Sequence, residues 1–256
     1  DNSVQDFTRK VISTYRAFNK AVEIYNALNL YGIKYSSDAS PVEGNIDRVF
    51  YPREVMELKR GDCDDLSVLY IACLENVGIN TAFILTPGHV LVMFDTEVHL
   101  KNAVDLFLSS EWFVQVKGSR HAWLPVETTL LGQEGKGFFE AWTEGVRRYK
   151  NHSVRGELQG VINTRDAWEE FKPIAFPNPA PSPQVPEAGF LQEEYANIVK
   201  KLDKERELHL ERRIQTYLHE LELSPQNAAL HNSLGIAYAK AGIIFTQPEE
   251  LTKAEE

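Results

Sequence analysis

Gly61-Asp62-Cys63-Asp64-Asp65 sets a thiol in the first turn of an amphipathic helix. Beyond it, apolar residues recur at Leu66, Leu69, Tyr70, Cys73, Leu74 and Val77, the spacing of one buried helical face. Gly78 follows where a helix closes in a left-handed cap. A cysteine at a helix start lies beside unpaired N–H groups and the positive end of the dipole, which favour the nucleophilic thiolate. Cys73, mid-stripe, reads instead as a small buried hydrophobe, the ordinary fate of a free cysteine. Cys63 does not, because a core filler is seldom flanked by three aspartates. Asp62, Asp64 and Asp65 suit a helix start as caps, yet unpaired negative charge there opposes ionisation of the thiol. Activation of Cys63 therefore calls for a cationic partner.

Around this helix the pattern changes character twice. Val4 to Leu30 reads as helical, with Phe7, Val11, Tyr15, Phe18, Val22, Ile24, Tyr25 and Leu28 on its apolar face. A polar loop over Ser36 to Asn45 leads to a short helix around Pro52 to Met56. After the Cys63 helix, Thr81 to Leu85 and His89 to Phe94 are apolar runs split by Pro87-Gly88, the mark of a buried hairpin. Phe113 to Val116 and Ala122 to Glu127 form a second hairpin across Lys117-Gly118-Ser119. Pro125 cannot donate to a ladder, so that strand is expected to be an edge or to bulge. Val98 to Trp112 reads as a helical insertion between the hairpins, with Leu106, Phe107, Leu108 and Trp112 either covering the thiol or padding the sheet. Helices are expected over Phe138 to Tyr149, over Thr164 to Phe171 and from Glu187 onward.

Bulk composition narrows the function classes. The net charge of −10 and the lack of a basic cluster argue against nucleic-acid or anionic-membrane partners. No apolar run approaches the roughly 20 residues of a membrane span. The cysteines stand ten residues apart on one helix, about 15 Å at roughly 1.5 Å per residue, which is too far for a disulfide. There is no CxxC pair for a structural zinc. The aspartate spacing does not match a calcium-binding EF-hand loop. No metal and no cofactor are expected. The sequence opens at Asp1 without methionine or signal peptide, as a mature or truncated product would.

A thiol nucleophile needs a base to take its proton and a third group to orient that base. His89 opens a strand after Pro87-Gly88, so its imidazole can point from the sheet end towards a helix terminus. Glu127 ends a later strand and precedes Thr128-Thr129. Singly these read as a turn histidine and a solvated carboxylate; with Cys63 they supply nucleophile, base and orienting acid.

Gly-Asp-Cys-Asp-Asp at 61–65, Pro-Gly-His at 87–89 and Trp-Leu-Pro-Val-Glu-Thr-Thr at 123–129 resemble the transglutaminase-like cysteine enzyme superfamily over roughly Val4 to Thr129. The resemblance implies an α+β, papain-like core in which a central Cys-bearing helix packs against an antiparallel sheet. It also implies acyl transfer on an amide, by peptide or amide hydrolysis or by transglutamination of a protein or peptide substrate. Position by position, it makes Cys63 the nucleophile, His89 the acid/base and Glu127 the orienting acid. The third member is usually Asp, and Glu reaches one methylene further. His121-Ala122-Trp123 also resembles a histidine motif of that family. On a regular strand, however, His121 stands about 20 Å from Glu127 at roughly 3.3 Å per residue, so it would need a different acid, and His89 is preferred. The alternative function is a non-catalytic protein-binding module that keeps the fold.

Leu223-Ser224-Pro225, Asn232 to Tyr238 and Gly242 resemble a tetratricopeptide repeat, in which Pro lies between helices, Leu-Gly lets them approach and Tyr packs between them. Such stacks need about three repeats, so the segment is expected to be either a docked extension or the start of an array that recruits a protein partner. The domain layout expected is a transglutaminase-like domain over 1–176, a Pro-rich linker over 177–189 and a helical segment over 190–256. Repeated prolines remove backbone donors and prevent regular pairing. Limited proteolysis should accordingly cut between Phe176 and Gly189 first; early cuts within Leu66 to Val92 would show that the core lies elsewhere.

Overall fold

Alternating apolar strands in the middle of the chain build a five-stranded antiparallel sheet. The computed structural model describes residues 16–37, 48–107, 110–174 and 188–245. The chain divides into two compact units, one over Tyr15–Tyr195 and one that includes Ala196–Glu256. In the first, the order is α1 (Arg16–Tyr31), β1 (Lys34–Tyr35), α2 (Pro52–Leu58), β2 (Arg60–Gly61), α3 (Cys63–Asn76), β3 (Thr81–Thr86) and β4 (His89–His99). There follow α4 (Leu100–Leu106), β5 (Val114–Gln115), β6 (His121–Val126), a 3₁₀ turn (Thr128–Leu130), α5 (Phe138–Val154), β7 (Gly160–Asn163) and α6 (Thr164–Glu170). The sheet runs β5-β6-β4-β3-β7, and β1 pairs with β2 in a separate two-stranded ribbon. This is the α+β architecture expected, with the Cys-bearing helix packed on the central strand β4.

An aromatic core ties the helices to the sheet. Phe18, Tyr25, Tyr70, Phe94, Phe107, Phe138 and Trp142 are all fully buried. Phe138 meets Phe18 and Tyr25 at 5.9 Å between ring centres and Phe94 at 6.3 Å. Tyr25 meets Tyr70 edge-on at 5.7 Å, and the Tyr70 hydroxyl donates to the Ala21 carbonyl at 2.9 Å. Aromatic residues from α1, α3, β4 and α5 thus fix where the Cys63 helix lies. On the stripe of that helix Leu66, Leu69, Tyr70 and Leu74 are buried, while Cys73 and Val77 are only half-buried.

Several expectations need adjusting. The α1 face is built from Ala17, Phe18, Ala21, Val22, Tyr25, Asn26 and Leu28, with Ile24 half-buried; Phe7, Val11 and Tyr15 lie outside the described residues, as does most of the polar loop after Ser37. Of the four apolar residues of the insertion, Phe107 and Trp112 are seen to pack on the aromatic core. Phe107 packs against Phe18 at 5.7 Å, Trp142 at 5.6 Å and Phe113 at 6.3 Å. Trp112 stands 5.4 Å from Trp142, whose indole N–H donates to the Trp112 carbonyl at 2.8 Å. Leu108 lies outside the described residues. Although β6 is an inner strand, β5 pairs only with Ala122 and Trp123, so Pro125 faces a locally open side, where no ladder bond is demanded of it. The irregularity of β6 falls between Asp95 and His99 on its partner β4 instead.

Helix α5 fills that open side. A Cβ on Gly145 would lie 2.6 Å from the Pro125 carbonyl oxygen and 2.7 Å from Val126 N. Only glycine lets this helix settle so closely on the strand that ends at Glu127. Strand β7, pairing with β3 from Ala82↔Asn163 to Leu85↔Gly160, has no counterpart in the sequence reading.

The second unit holds most of α7 (Ala188–Leu223) and all of α8 (Ala228–Phe245), joined by a turn containing Pro225. Ile214, Ala237 and Ala241 form its buried cluster, with Tyr217, Leu234 and Tyr238 against them. Of the linker expected at 177–189, Ala188 and Gly189 open α7 and the rest lies outside the described residues. Among the described residues no helix is long and apolar enough to cross a membrane.

Because Phe107 is buried against Phe18, Phe113 and Trp142, Phe107→Ala should cost about 3–5 kcal/mol of unfolding free energy, read by urea denaturation. A loss below about 1 kcal/mol would return the insertion to a role outside the core.

Candidate functional site

The motif around Cys63 is first of all a helix start. Asp62 is the N-cap of α3: its Oδ1 accepts from the N–H groups of Asp64 at 3.2 Å and Asp65 at 3.3 Å. Asp65 returns the bond, accepting from Asp62 N at 3.2 Å through Oδ2, which completes a capping box. Its other oxygen accepts from Phe50 N at 2.6 Å. Asp65 is therefore buried rather than turned to solvent. It also dictates Gly61, where a Cβ would come within 2.6 Å of the Asp65 Cβ. Burial, together with its hydrogen bond to Asp62 and the charge of Asp62, pushes the Asp64 carboxyl up to about 7. Near neutrality the negative charge around the thiol is thus less than three aspartates suggest.

His89 and Glu127 come together from two adjacent strands. His89 opens β4 and Glu127 follows β6, and the pairing of Val92 with Val126 sets both at the same end of the sheet. His89 Nε2 lies 2.8 Å from Glu127 Oε2, and the Glu127 side chain has no exposure at all. With Nε2 engaged there, Nδ1 is the ring nitrogen left to face the Cys63 thiol, which lies close enough to raise the imidazole's proton affinity. Burial works against a charged imidazole. Interaction with the Cys63 thiol, the hydrogen bond to Glu127 and the charges of both outweigh it, so the His89 pKa is raised to about 9.

Glu127 is held on every side. Oε1 accepts from Thr129 N at 3.0 Å and from Thr129 Oγ1 at 2.6 Å. Oε2 meets His89 and, as an ion pair at 3.1 Å, Arg148 Nε from α5. Burial would raise this carboxyl, but the bond to His89, the His89 charge and the bonds from Thr129 hold it below its usual range.

His121 stands apart with an acid of its own. It pairs through Nδ1 with Asp95 Oδ2 at 3.0 Å and sits at the other end of β6, in register with His99. The thiol of Cys73 is pushed up to about 11 by burial. Both cysteines are free. Asp62, Cys63 and Asp64 can bring one ligand atom each within 4.8 Å of one another, the only such group of three among the described residues.

Two neighbours of the site escaped the sequence reading. Arg148 lies on α5, a helix that showed only as a pattern. Tyr35 lies on β1 in register with Gly61 and is 42% exposed. Burial and the charges of Cys63, Asp62 and Glu127 raise its phenol, and Arg148 lowers it. Tyr35 therefore belongs to the same electrostatic cluster. Nothing local in Lys34-Tyr35 could have shown it.

The family model of the transglutaminase-like superfamily matches residues 2–131. The chain belongs to this superfamily. Its members are usually cysteine-based enzymes, and some are non-catalytic. A comparison with curated proteins found no match.

The His89 pairing makes a prediction for stability. Its pKa is higher in the folded chain than the ordinary 6.5, so its contribution is complete below that value and fades as the pH rises through about 9. Asp64, raised from 3.8 to about 7, also lowers stability with rising pH, but over the range below 7. Unfolding free energy should thus decline between about pH 7 and 9, and His89→Ala should abolish most of that decline. A decline of equal size in the variant would assign it to another group.

Proposed function

We propose that this protein is a cysteine-dependent enzyme of acyl transfer on an amide, with Cys63 as nucleophile, His89 as acid/base and Glu127 as orienting acid. The observation that carries this reading is a single imidazole that stands 2.8 Å from a fully buried carboxylate and whose proton affinity is raised by a thiol at a helix start. A scaffold has no need of that arrangement.

In the proposed reaction the thiol proton passes to His89, and Cys63 Sγ adds to the carbonyl carbon of the amide. The Cys63 N–H opens the helix and has no acceptor within it, so it is available to the developing oxyanion. His89 then gives its proton to the amine nitrogen as the C–N bond breaks, leaving a thioester on Cys63. Water, or a second amine, adds to the thioester while His89 takes the incoming proton. The thiolate leaves and the acid or new amide is released. Every proton moves through His89 and no cofactor is invoked. The helical segment from 190 is proposed to bring the enzyme to a protein partner.

Iodoacetamide labelling of Cys63 at pH 6, read by peptide mass spectrometry, tests the assignment. The wild type should react readily, His89→Ala should react about 10²-fold more slowly and His121→Ala should stay near wild type. Cys73 should label only on unfolding. A wild-type Cys63 unreactive below pH 8, or a loss confined to His121→Ala, sinks the catalytic reading and leaves the binding module in its place.

A further inference from the structure

The proposed reaction leaves a problem at Glu127. Whenever His89 hands its proton to the departing amine, the imidazole becomes neutral, and the carboxylate beside it loses its cation. An ionised carboxylate with no exposure is costly to keep unpaired. In such a pair the proton would tend to be drawn back, slowing its delivery. A second, permanent cation at the same oxygen would remove the difficulty.

Arg148 is that cation. Its Nε lies 3.1 Å from Glu127 Oε2, the oxygen that His89 also meets. An arginine side chain is a permanent cation, unlike the imidazole that gains and loses a proton in the cycle. Its place is built rather than incidental. Gly145 seats α5 directly on Pro125 and Val126, three residues before Arg148 and just ahead of Glu127 in the chain. Glu144, one turn back on the same helix, accepts from Arg148 Nε at 2.8 Å. Glu144 also accepts from Arg147 Nε at 2.7 Å and Nη2 at 2.6 Å. Those hydrogen bonds hold the Glu144 carboxyl down at about 2.

We propose that Arg148 is a positioning residue of the Cys63–His89–Glu127 site, holding Glu127 ionised and in place while His89 loses and regains its proton. This rests on the catalytic reading given above. The charged and titratable groups around the pair are His89 on β4, Cys63 and Asp62 at the start of α3, Tyr35 on β1, and Tyr25 on α1. Tyr25 lies with its hydroxyl 3.5 Å from the Glu127 carbonyl. Helix α5 contributes Glu140, Glu144 and Arg147 besides Arg148 itself. Among these, Arg148 is the cation ion-paired directly to the shared oxygen together with His89.

The sign of the effect follows. Removing a fixed positive charge beside the His89–Glu127 pair favours the imidazolium, so the His89 titration midpoint should rise. Removing the Glu144 carboxylate leaves Arg148 less compensated, so the midpoint should fall. A role confined to packing predicts neither shift, and certainly not shifts of opposite sign.

The experiment is the titration of His89 followed by its imidazole ¹⁵N resonances in the full chain, which needs no substrate. In Arg148→Met the midpoint should move up by about one unit, and Arg148→Lys should bring it at least half-way back. Glu144→Gln should move it down. A midpoint unmoved in a cooperatively melting Arg148→Met, or moved as far in Arg148→Lys as in Arg148→Met, overturns the proposal. Should Arg148→Met fail to fold, Glu144→Gln decides: a downward shift supports the role, and no shift or an upward one refutes it. The Cys63 labelling of the wild type at pH 6 is read alongside. An unreactive Cys63 defeats the catalytic reading itself, whereas a reactive Cys63 with an unmoved His89 midpoint defeats only the role of Arg148.

Discussion

A carboxylate without any solvent exposure can stay charged inside a protein only if its oxygens are met by donors or cations. Glu127 satisfies that condition through Thr129 on one oxygen and His89 and Arg148 on the other. These partners come from a 3₁₀ turn, from the first residue of β4 and from the middle of α5. For all of them to arrive at one point, β4 and β6 must hold their register and α5 must lie close on β6. The register comes from a central pair of strands buried on both faces, where a slip by one residue would turn every side chain the wrong way. The close approach comes from Gly145. The acid is thus where sheet, turn and helix are joined, and misplacing any one would strand a buried charge.

The Cys63 helix start shows how much structural work surrounds one reactive atom. Of its five motif residues, Gly61 is required by the bulk of Asp65, Asp62 caps the helix, and Asp65 caps back while pinning Phe50. Asp64 adds less negative charge than its identity suggests, because burial and Asp62 keep its proton on until about pH 7. The negative charge of the three aspartates beside Cys63 is lessened in this way. Their main business is to hold the first turn of α3 through the reciprocal capping bonds.

Periodicity made much of this architecture legible. The stripe from Leu66 to Leu74, the hairpin around Pro87-Gly88 and the strand ending at Val126 carry their secondary structure in local pattern, because burial on one face repeats at the period of the element. The nearness of Cys63, His89 and Glu127 followed from resemblance to a superfamily, not from spacing. His121 could be set aside from strand geometry alone, and its pairing with Asp95 at the far end of β6 is the physical counterpart of that argument. The insertion was ambiguous in sequence since Phe107 and Trp112 are equally suited to a cleft wall and a core. Only packing against Phe18 and Trp142 separates the two.

By itself the sequence determined the local elements, the thiol at a helix start and the family, all of which depend on residues near one another in the chain. Tertiary structure alone decided that β7 closes the sheet beside β3, that Tyr35 stands next to the Cys63 turn, and that Arg148 shares an oxygen with His89. Each of these joins residues with no common period or motif, brought together by a strand edge or by a helix seated through a missing side chain. The interaction energy of such contacts is set by distance and burial in the folded chain, and neither quantity exists until the chain has folded.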